Sequence, residues 1–138
     1  MRRYFIISMV ILITFFASFV TAGEPLSTLP AAGKKCVIND DYYFIYRFDK
    51  KPQLGTIIIK IELYNKEGKR DSPLKITGES GMPSMGSAHN SGPVPFQLNK
   101  KGDYLLPVNV VMPGDWEVKL DFVKEDKTIF SGRILFKV

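Results

Sequence analysis

The chain has 138 residues, of which 45% are hydrophobic and 24% are charged, and its formal net charge is +5. That length fits one domain, and the hydrophobic share is typical of a globular protein rather than a disordered one. One Cys and one His exclude a disulfide framework, Cys-rich zinc or iron–sulfur sites, and every chemistry that requires two histidines.

The N-terminal residues have the order of a secretory signal peptide. Arg2 and Arg3 precede an apolar run over residues 4–20, and Val20-Thr21-Ala22 offers small residues where a signal peptidase cleaves. We therefore predict a signal peptide over residues 1–22 and a periplasmic or extracellular protein, with no membrane insertion after cleavage. The alternative is an uncleaved membrane anchor, because the run approaches membrane-spanning length.

The chain that remains after removal of residues 1–22 has a small positive charge that is spread along the sequence. Loss of Arg2 and Arg3 lowers the net charge from +5 to +3, so we expect no nucleic-acid partner, which would require clustered Lys and Arg. Residues 23–36 are predicted to form an N-terminal arm or linker.

Cys36 ends this arm. An odd thiol in an exported protein is buried, paired between chains or reactive, and the apolar neighbours of Cys36 favour burial.

From residue 37 to residue 138, short runs of β-branched and aromatic residues alternate with turns. The pattern predicts an all-β domain, an immunoglobulin-like β-sandwich of about seven strands. The segment at 74–77 is predicted to be a short edge strand, and Tyr104 is predicted to form a tyrosine corner with the loop before it. The other predicted strands cover residues 42–48, 56–64, 104–111, 116–123 and 128–138.

The segment at 78–95 contains few strand-forming residues, but it holds Met82, Met85 and the sole histidine, His89, while Met112 begins a second turn. None of these Met residues lies within a strand pattern, where Met would fill a gap in the core. Thioether and imidazole groups suit Cu(I), and thioethers survive in an oxidising compartment. The sequence therefore predicts a Cu(I) site made of Met82, Met85 and His89, with Met112 as a fourth donor if the two loops share one end of the sandwich. The alternative is a loop that covers the end of the sandwich, its Met side chains in the core.

These motifs also carry a family resemblance. The segments at 81–86, 102–104 and 112–118, with His89 between the first two, resemble the YtkA-like/FixH-like family of exported bacterial domains, which is similar in architecture to the CopC-type copper-binding sandwiches. The resemblance covers residues 37–138 and implies an envelope location and a link to copper handling or oxidase assembly. It implies Met82, Met85 and His89 as ligands, although the family often places His directly after Met-Gly, where this chain has Ser87 and Ala88.

Two classes of function stay open at this point. The first is an exported copper-binding module that exchanges Cu(I) with a protein partner in the envelope. The second is a metal-free envelope interaction domain that uses the 78–95 loop or an edge strand. We expect no enzymatic activity, because the sequence has no Gly-x-Ser-x-Gly elbow and no nucleophile with a nearby base.

Overall fold

The computed structural model describes residues 26–138, so the predicted signal peptide over residues 1–22 lies outside the described residues. Within that range the regular structure is β-strand, apart from one 3-10 turn at Pro83–Met85. No helix among these residues is long and apolar enough to cross a bilayer. The strands in chain order are β1 (Ser27–Thr28), β2 (Lys35–Val37), β3 (Tyr42–Phe48), β4 (Gly55–Asn65), β5 (Lys75–Gly81), β6 (Val94–Pro95), β7 (Gln97–Leu98), β8 (Tyr104–Val110), β9 (Asp115–Lys124) and β10 (Lys127–Lys137).

The strands form two five-stranded sheets that pack face to face. The first sheet has the order β1-β10-β9-β5-β6, and the second has the order β2-β3-β4-β8-β7. Every pair is antiparallel except β1 with β10. Seven of the described strands have three residues or more. The predicted all-β, immunoglobulin-like sandwich is therefore confirmed.

The core follows the predicted alternation along the two long central strands. On β4 the side chains of Ile57, Ile59, Ile61 and Leu63 are fully buried. On β9 the buried side chains are Trp116, Val118, Leu120 and Phe122. Side chains two residues apart share a face of a strand, so each strand presents one apolar row to the opposite sheet. Burial of each such side chain contributes roughly 1.5–3 kcal/mol to the hydrophobic term.

The segment predicted to be an N-terminal arm takes part in both sheets. Strand β1 pairs with β10, and β2 pairs with β3 across the predicted domain boundary at residues 36 and 37. Cys36 carries a free thiol that is only 5% exposed. Burial raises the pKa of this thiol above its ordinary value, which disfavours the reactive thiolate.

Strand β5 differs from the short edge strand predicted at residues 74–77. It extends to Gly81, and all seven of its residues pair with β9, while β6 pairs with only two of them. A Cβ at Gly78 would lie 2.6 Å from Leu106 and 2.9 Å from Phe96, so the two sheets approach closely at this strand. Packing therefore requires glycine at residue 78, one of the small residues that made this segment resemble a loop.

One end of the sandwich, which we call the polar end, carries the turns at 65–74 and 99–103. The Tyr104 hydroxyl donates a hydrogen bond of 2.7 Å to the Leu74 carbonyl, 30 residues earlier in the chain, rather than to the loop directly before it as predicted. Arg70 forms an ion pair with the buried Asp103, whose other oxygen accepts a hydrogen bond of 3.4 Å from Asn99. These bonds connect turns that are distant in sequence.

Candidate metal centre

The opposite end, which we call the loop end, carries residues 82–93 and the turn at 111–114. Met82 continues the inward-facing row of β5 after Ile76, Gly78 and Ser80, so its side chain enters the core and is 5% exposed. A Cβ at Gly114 would lie 2.8 Å from Met82 Cε. The absence of a side chain at Gly114 therefore makes room for the Met82 methyl group.

Met85 lies on the surface of the same loop, with 42% of its area exposed. It ends the 3-10 turn that begins after Met82, and its amide donates to the Met82 carbonyl at 3.0 Å. The base of the loop is held by Ser91, whose amide donates to the Ser80 carbonyl at 2.9 Å and whose hydroxyl accepts from the Ser80 amide at 3.0 Å. The loop is thus closed at its base, while its thioether at Met85 faces solvent.

His89 is exposed, and its backbone has φ of 63°. A non-glycine residue in this left-handed region is strained, and such strain is frequent at functional sites. His89 lines a groove of about 320 Å³ together with Asn109, Val111 and Trp116, among other residues. The groove runs along the open side of the sandwich next to β8.

Met112 is half-buried and packs against the core from the turn between β8 and β9. Its carbonyl accepts a hydrogen bond of 3.0 Å from Nε1 of the buried Trp116. Gly114 exchanges two backbone hydrogen bonds, 2.8 and 3.0 Å long, with Val138. This turn is therefore fixed both by the indole and by the C-terminal residue.

The four predicted donors share one end of the sandwich but have different surroundings. Met82 lines a groove of about 420 Å³ on the side of the loop next to β9, and His89 lines the groove next to β8. Ser80 and Asn90 line both grooves and lie between them. The structure thus places the Met82 and Met112 side chains against the core and leaves Met85 and His89 accessible, and Met82 and His89 line separate grooves.

The Met82 groove also contains charged residues that the sequence analysis did not single out. Glu79 and Lys119 are paired across β5 and β9, and Glu117 lies beside them. Glu117 forms ion pairs with Arg133 at 3.4 Å and with Lys119 at 3.8 Å. Recognition of β5 as a full strand would have placed Glu79 on its outward row. Among residues 26–138 no group of three or more His, Cys, Asp or Glu side chains has the arrangement of a metal site.

No protein-family model matches the sequence, and no curated protein matches it. Among solved structures, FetP of uropathogenic Escherichia coli strain F11, as isolated after recombinant expression in the periplasm, matches with a TM-score of 0.53 and 12% identity, over 78% of this chain and 93% of FetP. A copper-bound variant of the same FetP matches with a TM-score of 0.52 and 12% identity, over 77% and 94% of the two chains. At this identity the likeness establishes a shared sandwich fold.

Proposed function

We propose that this protein is an exported, non-enzymatic module that binds Cu(I) through Met82, Met85 and His89, with Met112 as a fourth donor. In this proposal it belongs to the YtkA-like/FixH-like family and exchanges copper with a protein partner in the periplasm or at the cell surface. The observation that carries the proposal is the exposed thioether of Met85, on the same loop as Met82 and the sole histidine.

The chemistry of the donors fits Cu(I). Thioether sulfur and imidazole nitrogen are neutral ligands that favour Cu(I) over zinc, magnesium or calcium. Met85 and His89 lie four residues apart and face solvent, so both can receive an ion from outside. Met82 and His89 line separate grooves, so their joint participation requires the loop to move. Gly86, which has open space around its Cα, is the natural pivot for that movement.

The fold supports the proposal independently of the donors. FetP has the same sandwich architecture, and one of the matching FetP structures is bound to copper. A sandwich of this kind offers a rigid support for a loop, and binding residues are frequently placed on loops held by such a support. The likeness to FetP therefore supports proposing copper handling together with an envelope location.

A competition titration with Cu(I) and a chromogenic chelator, in the presence of reductant, tests the proposal. We expect stoichiometric binding by the purified protein and its loss in the triple variant Met82→Leu, Met85→Leu, His89→Gln, in which Leu conserves the volume of Met. Cys36→Ser is the control that excludes the thiol as the ligand. Equal affinity of the triple variant and the natural chain would contradict the proposed site.

A metal-free interaction domain is the second candidate, and the edges of the two sheets favour it. Val94 on β6 and Leu98 on β7 are 36% and 51% exposed, and both strands have only two residues. If this candidate is correct, substitutions in the 78–95 loop or in these edge strands weaken capture of the partner equally with and without a copper chelator. Dependence of capture on copper would instead favour the first candidate.

A further inference from the structure

Two exposed aliphatic side chains lie together at the loop end of the second sheet. Gly55 pairs with Val110 in the last pair of β4 and β8. Leu54 and Val111 each lie one residue beyond that pair, on neighbouring turns, and they are 56% and 52% exposed. Both residues therefore form an exposed aliphatic pair at the loop end of the sandwich.

Two lysines, Lys50 and Lys51, lie in the same turn as Leu54, and with Arg47 at the end of β3 they line an open groove of about 300 Å³. None of the described residues that line this groove is acidic; Arg47 forms an ion pair of 3.7 Å with Glu62, whereas Lys50 and Lys51 are exposed. The carboxylate in this turn, Asp49, accepts a hydrogen bond of 2.7 Å from the Ile58 amide and is therefore directed at the backbone. The groove thus has a positive potential and is open to an anion from outside.

We infer that this surface docks reversibly on a membrane that carries anionic headgroups. We call it the basic tip and define it as Arg47, Lys50, Lys51, Leu54 and Val111. Peripheral membrane binding combines apolar side chains that enter the headgroup region with cations that attract anionic lipids, and the basic tip has both. In this orientation the loop end, including Met85, faces the membrane. The inference holds whether or not the loop binds copper.

The composition of the basic tip favours a membrane over a protein partner. Protein interfaces are enriched in aromatic residues and Arg and depleted of Lys, particularly at their centres. The basic tip has two exposed lysines, Lys50 and Lys51, and the exposed aliphatic Leu54 and Val111. A small anion alone would leave these two aliphatic side chains in water. A membrane with anionic headgroups binds the cations through its phosphates and takes up the two aliphatic side chains at the same time.

Sedimentation with lipid vesicles tests this inference. The protein is purified as cells export it, its N-terminus is determined by mass spectrometry, and it is mixed with vesicles of phosphatidylcholine with or without phosphatidylglycerol. We expect binding that increases with phosphatidylglycerol and decreases with salt. Lys50→Glu with Lys51→Glu should lower the partition coefficient by about tenfold or more, because each cation near an anionic surface contributes about 1 kcal/mol.

Matched variants elsewhere on the molecule serve as controls. Leu54→Ser with Val111→Ser should also lower the partition coefficient by about tenfold, since two exposed aliphatic side chains are removed from the contact. Lys66→Glu with Lys69→Glu makes the same charge change at the polar end, and Val37→Ser with Leu98→Ser removes two other exposed aliphatic side chains. Both control pairs should bind vesicles as the natural chain does.

Four results would overturn the inference. One is equal binding to neutral and anionic vesicles, and another is an equal loss of binding in the control pairs. A third is displacement from vesicles by millimolar inorganic phosphate, which would make the groove a site for the free anion. The fourth is no vesicle binding. In that case, self-association that Leu54→Ser with Val111→Ser abolishes would assign the tip to a second copy, and binding to a polyglutamate peptide would assign it to an acidic protein.

Discussion

An ion pair and long-range side-chain hydrogen bonds connect the turns at one end of the sandwich, whereas the other end combines local hydrogen bonds with the packing of a thioether against a glycine. At the polar end, Arg70, Asp103 and the Tyr104 hydroxyl join segments that are about 30 residues apart. At the loop end, the side chain of Met82 rests against Gly114, and the Trp116 indole holds the Met112 carbonyl. Directed hydrogen bonds specify one arrangement, while a thioether packed against a glycine adapts to several. Side chains at the loop end, such as Met82, can therefore adjust while the polar end is held independently.

The largest expected effect comes from breaking the polar end. Asp103→Ala removes the buried carboxylate that accepts hydrogen bonds from the exposed Arg70 and from Asn99. We expect a loss of about 1.5–3 kcal/mol in the free energy of unfolding, measured by chemical denaturation, because the lost hydrogen bonds are to a charged group. Asp40→Ala is the control, because Asp40 is exposed at the start of β3. A loss below about 1 kcal/mol would contradict the role assigned to the ion pair.

The same variant has a characteristic dependence on pH. Burial raises the pKa of the Asp103 carboxyl, but hydrogen bonds from Arg70 and Asn99 outweigh burial and hold the pKa below its ordinary value. A carboxyl whose pKa is lowered in the folded state stabilises the protein above its unfolded pKa, about 4, and this contribution is lost as the pH falls further. The difference between the natural chain and Asp103→Ala should therefore shrink below about pH 4.

A smaller effect is expected from crowding the loop end. Gly114→Ala places a methyl group 2.8 Å from Met82 Cε, at a residue whose φ is 136°. We expect a cost of about 1–2 kcal/mol, because the backbone is strained and the thioether must move. In a Met82→Ala background the steric part should vanish and the strain should remain. Gly92→Ala measures strain alone, since Gly92 has φ of 66° and open space around its Cα. Full additivity of Gly114→Ala and Met82→Ala would contradict this contact.

The smallest effect is expected at His89. In His89→Gly, relief of the left-handed backbone offsets the extra flexibility of glycine, so the free energy of unfolding should change by less than about 0.5 kcal/mol. Ala88→Gly at the neighbouring exposed residue lacks this relief and should cost about 0.5–1 kcal/mol. Denaturation of both variants checks the difference. A larger loss in His89→Gly than in Ala88→Gly would show that the imidazole stabilises the loop.

The long strands were predictable because their own side chains specify them. Residues 42–48 were predicted from alternation and match β3 to the residue, and the apolar row of β4 is buried as predicted. Strand β5 was mistaken for a short edge because Gly78 and Ser80 have low β propensity. At Gly78 the small size is required by Leu106 on the opposite sheet, a contact that sequence spacing does not reveal.

The candidate site was predictable in its residue types but not in its arrangement. The sequence singles out Met82, Met85 and His89 by their chemistry and adds Met112 on the condition that the two loops share one end of the sandwich, and Met82 lies beside Gly114 of the second loop. The burial of Met82 follows from the alternation of β5, which continues one residue past the strand. Because the predicted strand ends at residue 77, it does not indicate that the Met82 side chain faces inward. For the same reason it does not place Glu79 and Glu117 near Met82.

Trp116 is the only tryptophan of the chain, and it is 1% exposed at the loop end. Its indole is bonded to the Met112 carbonyl and lines the groove that contains His89. Indole emission changes with the polarity of its surroundings and is quenched by nearby metal ions, so the fluorescence of the unlabelled protein reports on the loop end alone. The chain therefore contains an intrinsic tryptophan probe beside the candidate site, and no tryptophan at the polar end.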